Sequence, residues 1–379
     1  MKLPMKISAH VSTLVVAVVV SIGVFGQRST DESGTKSSTQ RDATGTVNPA
    51  RVSESWSKKG NRTTDKKSLE TIGPDGKFVP YSDTETQTVQ VNASTVRTIR
   101  RSYARDVNGN RSLVQVTEEE TKTSPNGSQD ISRTTSNPDL NGRLNVVQKE
   151  MQQIKRLSPS VQESTTTVLM PDLNGTLNPS MRVQYRETQT GEHASQFRKS
   201  TLLPDGNGSW QTVEVREGTK KDSPQGGSEE RVLQPGPDGK LAIVQKTVSR
   251  LNSNANENKT TSETYSNDVP GMAADNSLHL VEKVTTTRRN NASGEQKTEQ
   301  TIQRPSAGNP SDGLRTTQKV IDISRPNGSA SQQQKVTTQS LDANGSLNVI
   351  WVDTSKQDTT KPVQVDTKQA AKAAAKPKK

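Results

Sequence analysis

The chain has 379 residues, of which 27% are hydrophobic and 3% aromatic, with no cysteine and a formal net charge of +11. Globular domains usually carry about 45–50% apolar residues, so this composition excludes a thick two-layer core. The missing cysteine excludes a disulfide framework, a cysteine nucleophile and a lipid-modified cysteine.

Residues 1–26 read as an export signal. Lys2 and Lys6 precede an uncharged apolar run from Val11 to Val24, and Val24-Phe25-Gly26 offers a cleavage site before Gln27. The run is shorter than the roughly 20 residues that span a bilayer, which favours a cleaved signal over a retained anchor. Cleavage places the mature chain in the periplasm, at the cell surface or outside the cell. Residues 27–70 are rich in Ser, Thr, Gly, Asp and Lys around an isolated Trp56, and read as a disordered linker.

Residues 71–352 read as a repeat array. Asp75-Gly76, Asn108-Gly109, Asn141-Gly142, Asn174-Gly175 and Asn207-Gly208 follow one another at steps of 33 residues, and the rhythm continues more loosely to Asn344-Gly345. A second, less regular set of turn signals lies midway, as at Pro125-Asn126-Gly127 and Gly226-Gly227. Two turns per unit leave two strands of about 12 residues, because Asn-Gly and Asp-Gly are the strongest short hairpin signals. The expected fold is all-β: an antiparallel meander of 16–18 strands in a single extended or curled sheet. A large apolar residue recurs just past each turn (Phe78, Leu113, Leu144, Leu177, Trp210, Leu241, Leu278, Leu314, Leu347), giving an apolar row that clamps the turn end. Period-two alternation places Leu177, Met181, Val183 and Tyr185 on one face, whereas Leu144, Val146, Val147, Met151 and Ile154 break parity.

The Asp-x-Asn-Gly phrase (Asp106/Asn108, Asp139/Asn141, Asp172/Asn174, Asp205/Asn207, Asp342/Asn344) has the opening spacing of a calcium loop. It lacks the closing bidentate glutamate, so these residues read as turn formers and no metal or other cofactor is expected. Asn141-Gly142-Arg143-Leu144 distantly resembles the tyrosine–aspartate repeats of bacterial shell-forming toxin and wall proteins. The tyrosine is absent and the period longer, so the resemblance implies a hairpin device and no function. Only His193 and His279 lie beyond the signal, more than two repeats apart, which leaves catalysis little material.

Residues 353–379 read as a linker ending in a basic tail. Lys361 to Lys379 carry a net +5, against +4 for the whole array and linker. Lys368, Lys372 and Lys376 would share a helix face, and with Lys378 and Lys379 they form the candidate polyanion site. The tail has no arginine fork or stacking aromatic, so sequence-specific nucleic-acid reading is not expected. The sequence points to an exported, non-enzymatic structural or interaction protein of the bacterial envelope. Its rival is a polyanion-binding module that holds surface polysaccharide, nucleic acid or an anionic membrane through the tail. Self-association through open sheet edges is a further expectation.

Overall fold

The computed structural model describes residues 32–42, 51–72, 77–106, 108–268, 277–291, 293–306, 313–326, 331–342 and 344–358; residues 32–42, 51, 72, 331–332 and 355–358 are described by their backbone alone. The signal segment, its cleavage site and the terminal lysines lie outside these residues. Every element is a strand: β1 (Glu32–Asp42), β2 (Arg51–Lys59), β3 (Arg62–Ile72), β4 (Phe78–Asn92), β5 (Thr95–Arg105), β6 (Arg111–Thr123), β7 (Gln129–Pro138), β8 (Leu144–Ser158), β9 (Val161–Pro171) and β10 (Leu177–Gly191). They continue as β11 (Ala194–Pro204), β12 (Trp210–Lys221), β13 (Gly227–Pro235), β14 (Leu241–Ser253), β15 (Glu257–Ser266), β16 (His279–Asn290), β17 (Gln296–Pro305), β18 (Leu314–Pro326), β19 (Ser331–Leu341) and β20 (Leu347–Asp358).

Each strand pairs antiparallel with the next, as the hairpin reading expects. The curl is complete, because β1 also pairs with β20, from Thr35 opposite Asp358 to Asp42 opposite Trp351. The twenty strands therefore form a ring. At about 4.8 Å between strands and a tilt near 40°, such a ring is roughly 40 Å across.

Two sequence expectations need correction. Residues 27–70 do not form a disordered linker throughout, since β1, β2 and β3 lie there and supply the strands that bring the sheet round to β20. Their side chains are too polar to signal burial, and backbone pairing rather than a core orders them. The array likewise runs past 352, to Asp358 in β20. The β1–β20 pairing joins the first and last strands of the sheet edge to edge.

The Asx turns build one rim. In the turn after β7, the Asp139 Oδ1 accepts the N–H groups of Asn141 and Arg143, and the Gly142 N–H donates to the Asp139 carbonyl. The same contacts recur from Asp172 to Asn174, Thr176 and Gly175. Gly142 and Gly175 have φ of 78° and 79°, so the glycine takes the left-handed position that closes a three-residue hairpin loop.

Just beyond each of these turns, every even strand from β4 to β20 carries a β-bulge. The extra residues are Tyr81, Val114, Val147, Ser180, Val213, Val244, Val281, Thr317 and Ile350, the first five at steps of 33. The bulge flips parity. Leu177 and Pro179 therefore face one way and Met181, Val183 and Tyr185 the other, contrary to the single face expected. It also explains why Val146 and Val147, adjacent in sequence, fail to alternate.

Inner and outer walls follow from register and exposure. Gln148, Glu150, Gln152 and Ile154 are half-buried while Met151, Gln153, Lys155 and Leu157 are exposed. Likewise Ser195, Phe197 and Lys199 are covered while Gln196 and Arg198 are exposed. Side chains converge inside a closed ring and diverge outside it, so the first sets line the lumen. The core is thin. Its buried apolar side chains are Val116, Val168, Val215 and Val232, all within two residues of a bulge or directly beside its partner.

Candidate functional site

The lumen wall is polar and pairs with itself. Threonine and serine hydroxyls meet across strands at Thr88–Thr98, 3.2 Å, Thr247–Thr264, 3.3 Å, and Ser249–Ser262, 3.0 Å. Arg133 is held between Glu119, 2.6 Å, and Glu150, 3.0 Å, and Arg216 between Glu214, 2.7 Å, and Glu230, 3.3 Å. The Tyr185 and Phe197 rings stack at 6.2 Å between centroids. Phe197 lies over Gly218, where an added Cβ would come within 2.9 Å of the ring and 2.1 Å of the Glu229 carbonyl oxygen. That crowding explains a glycine inside a strand.

The outer wall divides into two bands. Next to the Asx rim runs an apolar belt. Leu144 faces Pro138, Leu177 faces Pro171, Trp210 faces Pro204, Leu241 faces Pro235 and Leu314 faces Pro305. This is the row expected from sequence, with proline as its usual partner; Leu278 is the exception, falling just before β16. Of the exposed large apolar residues, all but Val91, Met151 and Leu157 sit at this rim, and Leu140 and Leu173 protrude fully from its turns. The belt runs from the first strand residue to the bulge, as from Leu144 to Val147. At about 3.4 Å per residue it is roughly 10–14 Å tall, where a membrane-spanning barrel needs about 25 Å.

Beyond the belt the outer wall is charged. Arg97 meets Glu118 at 2.9 Å, Lys246 meets Glu229 at 3.2 Å, Lys283 meets Glu263 at 3.1 Å and Lys319 meets Glu299 at 2.8 Å. Hydrogen bonds from Arg231, Lys283 and Lys319 hold the carboxyls of Glu229, Glu263 and Glu299 below their ordinary value of 4.5. Arg or Lys at the lipid-facing midplane of a barrel costs about 2–4 kcal/mol. A wall with charges at the middle of strand after strand is a wall for water.

One cross-strand row of this wall is unusually basic. Register places Lys155, Glu163, Arg186, Arg198, Glu217, Arg231 and Lys246 directly side by side on β8 to β14. A shallow depression of about 440 Å³ opens at its centre, lined by Arg186, Arg198, Glu217 and Arg231 of the row, by the neighbouring Thr188, Gln196, Thr219 and Glu229, and by Phe197 and Gly218. Sequence inspection did not single out these residues. Their alignment depends on the bulges of β10, β12 and β14, which shift register, and the charges are spread over about ninety residues of chain.

The sequence-derived candidates fare differently. Lys368, Lys372, Lys376, Lys378 and Lys379 lie outside the described residues. The Asx-turn carboxylates are engaged by their own loops. At Asp172 the bonds from the Thr176 and Asn174 N–H groups hold the carboxyl below its usual range, and at Asp106 the Asn110 side chain leads the same effect. His193 sits in an exposed turn, and the His279 Nε2 lies 2.9 Å from the Ser277 Oγ two residues away. Among the described residues no group of three His, Asp or Glu is placed to hold a metal ion.

No protein family and no curated protein matches the chain. Among solved structures it is similar to the siderophore receptor PirA from Pseudomonas aeruginosa, at 9% identity over 88% of this chain and 82% of that one, with a TM-score of 0.48. The copper transporter OprC is similar at 6% identity over 88% and 81%, with a TM-score of 0.42. The alcaligin outer-membrane receptor FauA from Bordetella pertussis is similar at 9% identity over 88% and 77%, with a TM-score of 0.35. These neighbours are outer-membrane receptors and transporters, not enzymes. With every TM-score under 0.5, nothing about them is carried to this chain.

Proposed function

We propose that the chain is an exported structural or interaction protein of the bacterial cell envelope, without catalysis. It acts as a water-filled β-ring that presents its outer wall to other envelope components. The outer wall carries this reading. Its charged residues pair sideways along the sheet, as Arg97 with Glu118 and Arg289 with Glu257, so they stiffen an extended surface instead of converging on a reacting group. The export signal read in residues 1–26 supplies the route, and the basic terminal lysines would add attachment to an anionic polymer or membrane surface.

Cell fractionation tests the reading. Cells expressing the full sequence should yield the protein in the envelope or medium fraction, extractable with salt and without detergent, and rich in β-structure by circular dichroism. Recovery only in detergent would mean that the outer wall meets lipid, and the proposal would fall.

A further inference from the structure

We propose that the basic row across β8 to β14 is a binding site for an acidic polysaccharide, a chain of sugars bearing carboxylate or sulfate groups. The proposal deepens the interaction role above and rests on that role only for the wall being open to water.

The first observation is a like-charge contact that the fold does not need. Arg186 stands directly opposite Arg198, an arrangement that destabilises a sheet. Several arginines of this wall meet carboxylates closely, as Arg97 does with Glu118 at 2.9 Å and Arg231 with Glu229 at 2.7 Å, whereas Arg250 reaches Glu263 at 3.5 Å. Arg186 reaches Glu163 only at 3.4 Å and Arg198 reaches Glu217 only at 3.7 Å, and both guanidinium side chains are about 60% exposed. Two forks side by side with loosely held partners are suited to bidentate capture of an external oxyanion.

The second observation is the extent of the row. Lys155, Arg186, Arg198, Arg231 and Lys246 outweigh the interleaved Glu163 and Glu217 even with Glu229, which pairs with Arg231 and Lys246, and an excess of positive charge remains. Six steps between strands, at about 4.8 Å each, make the row roughly 30 Å long. It crosses the strands and so fits a linear polymer laid across the wall rather than a single small anion.

The third observation is the company these cations keep. The depression beside Arg186, Arg198 and Arg231 is also lined by Thr188, Gln196, Thr219 and Glu229. Hydroxyl, amide and carboxylate groups can bond the sugar hydroxyls that lie between the charged groups of such a polymer. Phe197 also lines the depression, but register sets it on the lumen wall, where its ring is stacked on Tyr185. No aromatic lies in the row to stack a base, which favours a saccharide over nucleic acid.

The test measures binding of the protein, purified from cells expressing the full sequence, to polygalacturonate, dextran sulfate, neutral dextran and single-stranded DNA at low salt. Polygalacturonate or dextran sulfate should bind, and neutral dextran should not; the tighter of the two acidic polymers identifies the oxyanion. The double substitution Arg186→Gln with Arg198→Gln should weaken binding by about tenfold and flatten its salt dependence. Its unfolding midpoint should hold or rise, because the substitution removes a repulsion. Substituting Lys368, Lys372 and Lys376 by Gln separates the tail from the wall and should leave most of the affinity. Unchanged binding in the arginine variant, loss confined to the lysine variant, or tighter binding to DNA than to either acidic polymer would each overturn the site. Failure of the native protein to bind any polyanion would also overturn it, while detergent-free recovery would leave the proposed envelope role intact.

Discussion

The two ends of each strand solve different problems. At the Asx rim, a fixed turn, a bulge and a row of leucine–proline contacts gather nearly all the exposed apolar surface of the ring. The bulges tighten the local coil, and the buried valines flank them. Toward the opposite rim, the turns vary, the outer wall is charged and the lumen wall is threonine, glutamine and arginine–glutamate pairs. The regular end supplies packing and register. The variable end supplies surface that can change without disturbing the ring, and the basic row lies there. A protein this poor in apolar residues concentrates what it has at one level, where a bulge lets two adjacent residues face the same wall.

The largest test of this division is the parity of the ring. Removing residues 143–175 takes out β8 and β9 as one whole repeat and joins Gly142 to Thr176. The remaining eighteen strands can still close antiparallel, so a soluble β protein with cooperative unfolding should result. Removing residues 143–160 takes out β8 alone and leaves nineteen strands, so β1 and β20 would meet in parallel. That variant should aggregate or lose cooperative unfolding, as followed by size-exclusion chromatography and circular dichroism. Equal behaviour of the two deletions would mean that closure contributes nothing.

A smaller effect separates the two ends directly. Val215 is 1% exposed at the bulge level, and Val215→Ala should cost about 2 kcal/mol in denaturant unfolding. Arg97→Ala, in an exposed outer pair of the charged end, should cost less than about 0.5 kcal/mol. Similar losses at the two positions would erase the distinction.

The smallest effect is acid sensitivity of the charged end. Glu229, Glu263 and Glu299 titrate below their ordinary value of 4.5 in the folded chain. Their contribution is therefore complete above that pH and is lost as pH falls through the depressed values. Thermal stability should decline gently below about pH 4.5 and decline less in high salt, which screens exposed pairs. A decline that sets in near neutral pH would point to other groups.

Much of the fold is legible in the residues themselves. Asp-x-Asn-Gly at 33-residue steps specifies the hairpin turns, since only a side chain that caps its own loop and a glycine at positive φ satisfy them, and the leucine after each turn marks the strand beginning. The low apolar content excludes a second layer. The sequence could not show that β1, at Glu32–Asp42, joins β20. That contact is made by backbone groups, and its residues look no different from a linker. Nor could it show the bulges: the residues at 81, 114, 147, 180 and 213 share a spacing, but one extra residue in a strand has no signature until its partner strand is aligned. Because each bulge turns the following residues over, wall assignment is a tertiary property. Leu177 and Tyr185 share a parity in the sequence and stand on opposite walls in the ring. For the same reason Arg186 and Arg198, twelve residues apart and unremarked in sequence, become neighbours only when register is set.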